Sequence, residues 1–234
     1  MKLLDRLLGN RPDTEAARVA RRQWEQAGTP APGRALDEVR WVVLDTETSG
    51  LDPRRDRLLS IGACTIEGGG IALSGTFEVL LQQSHASAVD NVLVHGIGHR
   101  AQALGEPQDA ALAAYLRFSG KDVVVGYHTL FDLVMIDRAT RSQLGVRYQP
   151  ASVDLALLLP VLAGRADAAG WDLDRWLDRY RIDVFGRHHA LADAFATAQL
   201  FLLVLQLARR QGLHRLRDLL RLQAHQLDLG QARG

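Results

Sequence analysis

The chain has 234 residues, 47% of them hydrophobic and 24% charged, with a formal net charge of +1. These values suit one generous globular domain, or one domain with a helical extension, and exclude a global electrostatic pull toward nucleic acid, so any such binding must rest on local patches. Cys64 is the sole cysteine, which excludes an internal disulfide and a thiolate metal centre and points to a reducing, cytoplasmic compartment.

Residues 1 to about 28 read as helical, with Leu3, Leu4, Leu7 and Leu8 as an early apolar patch and charges throughout, so the segment is not a secretory signal. The Gly/Pro stretch "GTPAPGRALDE" then predicts a linker and a boundary near residue 38. From Arg40, "RWVVLDTE" is a continuous apolar run of the kind found in a strand covered on both faces. "SGLDPRRD" is turn chemistry, and "RLLSIGACTIEGG" and "IALSGTFEVLL" predict two further strands in an antiparallel meander.

An irregular stretch, "SHASAVDNVLVHGIGHRA", precedes a helix that starts at Pro107 and stops at Gly120. "KDVVVGY" predicts a buried strand, and "LFDLVMIDRATRSQLG" a helix with apolar positions at Leu130, Leu133, Val134 and Ile136. "SVDLALLLPVLAG" and "WDLDRWLDRY" read as short helical pieces, Asp154 as a helix N-terminal cap or a structural hydrogen-bonder, and Trp171 and Trp176 as packing. A long helix spans about 190–210, and an amphipathic tail carries Leu213, Leu216, Leu220 and Leu227. The long segment approaches membrane-spanning length. Asp193, Thr197, Gln199 and Gln206 interrupt it, so it reads as a buried helix with no membrane span. The order of elements predicts an α/β domain with a mixed sheet flanked by helices over 39–210, an N-terminal extension over 1–38 and a C-terminal amphipathic helix over 211–234.

Four acids stand out by position. Asp45 and Glu47 end the first strand, Asp132 follows the strand "KDVVVGY", and Asp193 lies in the first turns of the long helix. Asp132 and Asp193 sit among apolar neighbours, where an unpaired aspartate is out of place. Alone, each has an ordinary reading: a solvated turn for "DTETSG", a helix N-terminal carboxylate for Asp132, a satisfied core aspartate for Asp193. Together, three segments deliver carboxylates to element ends, the usual place for a site in an α/β sheet. Hard oxygen ligands without cysteine favour Mg²⁺ or Mn²⁺. Two such ions roughly 3.5–4 Å apart suit in-line phosphoryl displacement. His188, five residues before Asp193, is placed to supply the base for an attacking water.

"DTETSG", "GYHTLFD" and "HHALADA" resemble the three motifs of the DEDDh (DnaQ-like) 3′–5′ exonucleases of the ribonuclease H-like superfamily. The first motif, of the form D-T-E-T-[TS]-G, is matched from Asp45 to Gly50. The third, H-x-A-x-x-D-A, is matched by His188, Ala190, Asp193 and Ala194. The second, usually G-H-N-x-x-F-D, keeps Gly126, Phe131 and Asp132 but has Tyr127 and His128 where histidine and asparagine are usual. The resemblance covers roughly 40–205 and implies a ribonuclease H-like fold.

It further implies that Asp45 bridges two ions, that Glu47 and Asp193 complete one of them, and that Asp132 acts on the second. His188 would be the general base, with nucleoside 5′-monophosphates released from single-stranded or frayed 3′ ends of DNA or RNA. Thr46, Thr48 and Leu51 would contact the terminal nucleotide, and His95, Gly96 and Ile97 would pack near its base. The family's base stands five residues before its last aspartate, so the resemblance favours His188 over His189. Two further readings are an end-binding module without catalysis, which the five retained reactive residues oppose, and a non-catalytic partner subunit attached to a polymerase or a membrane-associated regulator through its helical ends. The terminal amphipathic segments also suit a homodimer. An aspartyl-nucleophile phosphatase is opposed by Glu47 at the second acidic position.

Overall fold

The computed structural model describes residues 13–85, 92–93, 96–168, 170–184 and 186–231. The expected patch at Leu3, Leu4, Leu7 and Leu8, and the expected contact His95, lie outside the described residues. In chain order the elements are α1 (Glu15–Gln26), β1 (Trp41–Thr48), β2 (Leu58–Glu67), β3 (Gly70–Leu80), α2 (His99–Ala103), α3 (Gln108–Ser119), β4 (Val123–Gly126), α4 (Leu130–Leu144), β5 (Ser152–Asp154), α5 (Leu155–Leu162), α6 (Leu173–Tyr180), α7 (Ala190–Arg210) and α8 (Leu216–Gln231). The sheet order is β3-β2-β1-β4-β5, with β1 antiparallel to β2 and parallel to β4. The apolar run of Trp41–Leu44 is thus the central strand of a mixed sheet.

Because side chains alternate along a strand, β1 divides the core in two. Trp41 and Val43 face a layer built by α5, α7 and α8, with Cys64, Leu158, Phe201 and Val204. Val42 and Leu44 face a layer built by α1, α3 and α4, with Leu112, Tyr115, Met135 and Ile136. α1 is capped by the Thr14 side chain and adds Ala17 and Ala20 to the second layer. α8 adds Leu216 and Leu219 to the first. Leu36 N–H donates to the His214 carbonyl, and Leu36 O accepts from Trp41 Nε1. The segments drawn outside 39–210 therefore both touch the sheet domain. α7 has the length and apolarity of a membrane span, but one side of it packs on β1 and β2.

Three expectations need correction. Ser152–Asp154, expected as the start of a helix, is the edge strand β5, parallel to β4, and the helix begins only at Leu155. Three residues are too few to show a period of two. In α4 the inward face is Asp132, Met135, Ile136 and Thr140, whereas Leu130 and Val134 are exposed. Asp132 belongs to the inward stripe at i, i+3, i+4 spacing, which includes Ile136 of the expected apolar positions, while Leu133 packs at its side. The short helix α2, within the stretch expected to be irregular, has only five residues and no capping side chain.

Candidate active site

The alternation that divides the core also sorts the acids. Asp45 and Glu47 continue the Trp41–Val43 face toward α7, and Thr46 continues the opposite face toward α4. The carboxylates of Asp45, Glu47 and Asp193 meet with ligand oxygens all within 4.8 Å of one another. Asp132 is buried on the other side of β1, where its Oδ1 accepts a 2.6 Å hydrogen bond from Thr46 Oγ1. The pairing of β1 with β2 shifts register between Glu47 and Thr48, a local irregularity of the kind that re-aims side chains beside sites.

Asp193 reaches this cluster because of a glycine that motif reading passes over. Gly62 lies opposite Asp45 in the β1–β2 register. A Cβ there would stand 2.1 Å from Leu191 N and 2.2 Å from Ala190 C. Only a residue without a side chain lets the first turn of α7 lie against the sheet. The signal was in the sequence, since a glycine inside a strand marks a bulge or a close backbone approach. On the same face, the buried Cys64 Sγ lies 3.7 Å from the Ala194 carbonyl.

Crowded acids in a half-buried place resist ionisation. Burial, and then the charges of Asp132, Asp193 and Glu47, hold Asp45 well above the usual carboxylate range. Burial followed by Asp193 and Asp132 raises Glu47 to about 7. Burial raises Asp132 to about 7 against the opposing hydrogen bond from Thr46. Among the described residues no hydrogen-bond donor meets the side chains of Asp45 or Glu47. An all-oxygen donor set of this density is what a hard divalent cation requires, so the residues present fit Mg²⁺ or Mn²⁺.

A second unforeseen residue is Arg187, whose Nη1 pairs with Asp193 Oδ1 and whose Nε donates to Asp174 Oδ1 at 2.6 Å. The other Asp193 oxygen accepts the His188 backbone N–H at 3.0 Å. His188 has a left-handed backbone, φ 62°, and an exposed side chain. The structure therefore brings its backbone, not its imidazole, against the acids. His189 turns away, with Nε2 3.1 Å from Glu78 Oε1 on β3.

The remaining expected contacts among the described residues lie at the end of β1, in the turn after it, and just before α2. Thr48 Oγ1 donates to Gly50 O, shaping the turn in which Leu51 is 87% exposed. Asp56 braces this turn, accepting from Ser49 Oγ and Asp52 N. Gly96, at φ 68°, is exposed, and Ile97 O accepts from Gln102 Nε2. In the second-motif loop, Tyr127 OH donates to Trp171 O, and His128, at φ 57°, donates its N–H to Asp154 Oδ1. Asp154 also caps α5 through Ala156 N, as the sequence suggested. Trp176 is buried between Trp171 and Tyr180, and Arg175 lies 4.2 Å over the Trp171 ring, so both tryptophans serve packing.

A mixed five-stranded sheet flanked by helices, with acids gathered at the end of its central strand, defines the ribonuclease H-like class. The exonuclease (RNase_T) family model matches residues 42–201, and the chain belongs to that family. It is 28% identical over 180 residues to a PolC-type DNA polymerase III of Thermotoga maritima, covering 76% of this chain and 13% of that one. A DNA polymerase III subunit epsilon-like protein of Rhodobacter capsulatus is 30% identical, over 76% of this chain and 25% of its own length. The DNA polymerase III subunit epsilon of Aquifex aeolicus is 26% identical, with coverage of 71% and 80%. The chain thus spans a minor part of the first two relatives and most of the third. In fold it is similar to E. coli Exonuclease I solved with a dT13 oligonucleotide, with TM-score 0.63, 19% identity, and coverage of 74% of this chain and 42% of that one.

Proposed function

We propose that this chain is a metal-dependent 3′–5′ exonuclease that releases nucleoside 5′-monophosphates from single-stranded or frayed 3′ ends of DNA. The observation that carries the reading is the meeting of Asp45, Glu47 and Asp193 within 4.8 Å, with Asp132 across Thr46. Asp45, Glu47, Asp132 and Asp193 would hold two Mg²⁺ or Mn²⁺ ions. Bound there, such ions neutralise phosphate charge and favour ionisation of water. The chain's own residues would do the rest. His188, on an exposed loop beside Asp193, would swing inward and take the proton of the attacking water. His189 is less suited, being engaged by Glu78. Thr46, Thr48, the exposed Leu51, His95, Gly96 and Ile97 would hold the terminal nucleotide.

DNA is preferred over RNA because the relatives are DNA polymerase III proteins and the similar Exonuclease I was solved with a DNA oligonucleotide. The same relatives support a polymerase partner, and the single cysteine accords with a cytoplasmic setting. A 5′-labelled single strand incubated with Mn²⁺ should shorten one nucleotide at a time, and EDTA or Asp45→Asn should stop it. Matched DNA and RNA strands with 3′-hydroxyl or 3′-phosphate ends fix the substrate. Digestion that survives both EDTA and Asp45→Asn would overturn the reading. Binding of 3′ ends without digestion would leave the accessory-module alternative.

A further inference from the structure

The acid cluster already has a cation of its own. Arg187 bridges two carboxylates of unlike character: the Asp174 side chain is 60% exposed in the first turn of α6, whereas that of Asp193 is 6% exposed among the clustered acids. Arg187 Nη1 and Asp193 Oδ1 are both buried, and neither makes a well-aligned hydrogen bond. Their contact is held by charge rather than by the fitted fork that guanidinium and carboxylate form at their best. Asp193 Oδ2 is already taken by the His188 N–H. Oδ1 is the Asp193 oxygen that carries no hydrogen bond, and Arg187 sits on it.

Resting on the exonuclease reading of this site, we propose that Arg187 is a resident counter-cation that competes with the divalent metal for Asp193 and so sets the metal affinity. A guanidinium and a divalent ion cannot both contact one carboxylate oxygen without strong like-charge repulsion. Metal entry must therefore release Nη1, while the Nε bond to Asp174 keeps the side chain tethered at the rim. Asp174 is a positioning residue in this scheme: it offers Arg187 an alternative anchor and lowers its hold on Asp193. A purely structural role, in which Arg187 orients Asp193 for the metal, predicts the opposite response to its removal.

The test is Mn²⁺ binding to the full chain, read from the free-ion electron paramagnetic resonance signal and from the rise in melting temperature on adding Mn²⁺. Arg187→Gln should bind Mn²⁺ about tenfold more tightly than the wild type, the change expected for losing one charge-assisted competitor. Its metal-free form should melt lower, so its Mn²⁺-induced rise should be larger. Asp174→Asn, on an exposed helix turn, should weaken binding about threefold by confining Arg187 to Asp193. Arg187→Lys should fall between Arg187→Gln and the wild type. Unchanged or weaker binding by Arg187→Gln overturns the competition. Mn²⁺ binding by the wild type that Asp45→Asn leaves intact overturns the metal site itself, and with it the exonuclease reading.

Discussion

Glu47 and Asp132 hold protons to about pH 7, raised from ordinary values of 4.5 and 3.8. The folded, metal-free chain therefore binds protons that the unfolded chain has already released. Stability must then fall as pH rises from about 4 through about 7, since ionisation is penalised only in the folded state. Melting in EDTA should show this decline, and Mn²⁺ should stabilise most above pH 7, where no proton competes for the ligands. A flat profile in EDTA would show that the acids are not crowded as described. At His188 the expectation is chemical. His188→Ala should lower turnover about 100-fold or more, within the range for loss of a general base, and His189→Ala should change it only slightly. Single-turnover rates at saturating Mn²⁺ check both, and the reverse ranking would reassign the base. These residues were legible because spacing and residue type together specify them. Arg187 was not, since an arginine before a histidine pair has no signature until folding brings Asp174 and Asp193 to either side of it.

At the scale of elements, the site is a meeting of β1, α4 and α7, and what the sequence conveyed was unequal across them. The long elements were readable: α3 runs from Gln108 to Ser119, between the Pro107 and Gly120 that mark its ends, and α7 runs over 190–210 as its apolar pattern suggests. β5 was not, because three residues carry no period. The inward face of α4 was read only in part, because Asp132 joins Ile136 toward the sheet whereas Leu130 and Val134 face solvent. Gly62 is the element-scale test. Gly62→Ala would press a methyl group into the backbone of Leu191, moving the first turn of α7 and carrying Asp193 from Asp45. The variant should lose about 1–3 kcal/mol by chemical denaturation, as overpacked cores do, together with most Mn²⁺ binding. Gly28→Ala is the control, because nothing lies within 4 Å of a Cβ there. Retention of both properties by Gly62→Ala would mean that α7 does not depend on that close approach.

Across the whole molecule, the ends of the described chain brace the centre. Gln223 on α8 accepts from Asp154 N at 2.6 Å and donates to Ser152 O at 3.1 Å, clasping β5. Asp154 in turn holds the His128 backbone beside the second motif. Ending the chain at residue 210 removes that clasp together with the buried Leu216 and Leu219. The shortened protein should melt several degrees lower, the scale of losing about 2 kcal/mol or more from a domain of this size, whereas unchanged melting would make α8 an appendage. A last consequence concerns the thiol of Cys64, which burial pushes up to about 12 and which faces the Ala194 carbonyl. A dye that labels cysteine can reach it only when α7 lifts from β2, the motion that also takes Asp193 out of the cluster. With dye in enough excess that opening limits the reaction, the labelling rate of the native protein is a clock for how often the catalytic arrangement comes apart, readable without any substrate.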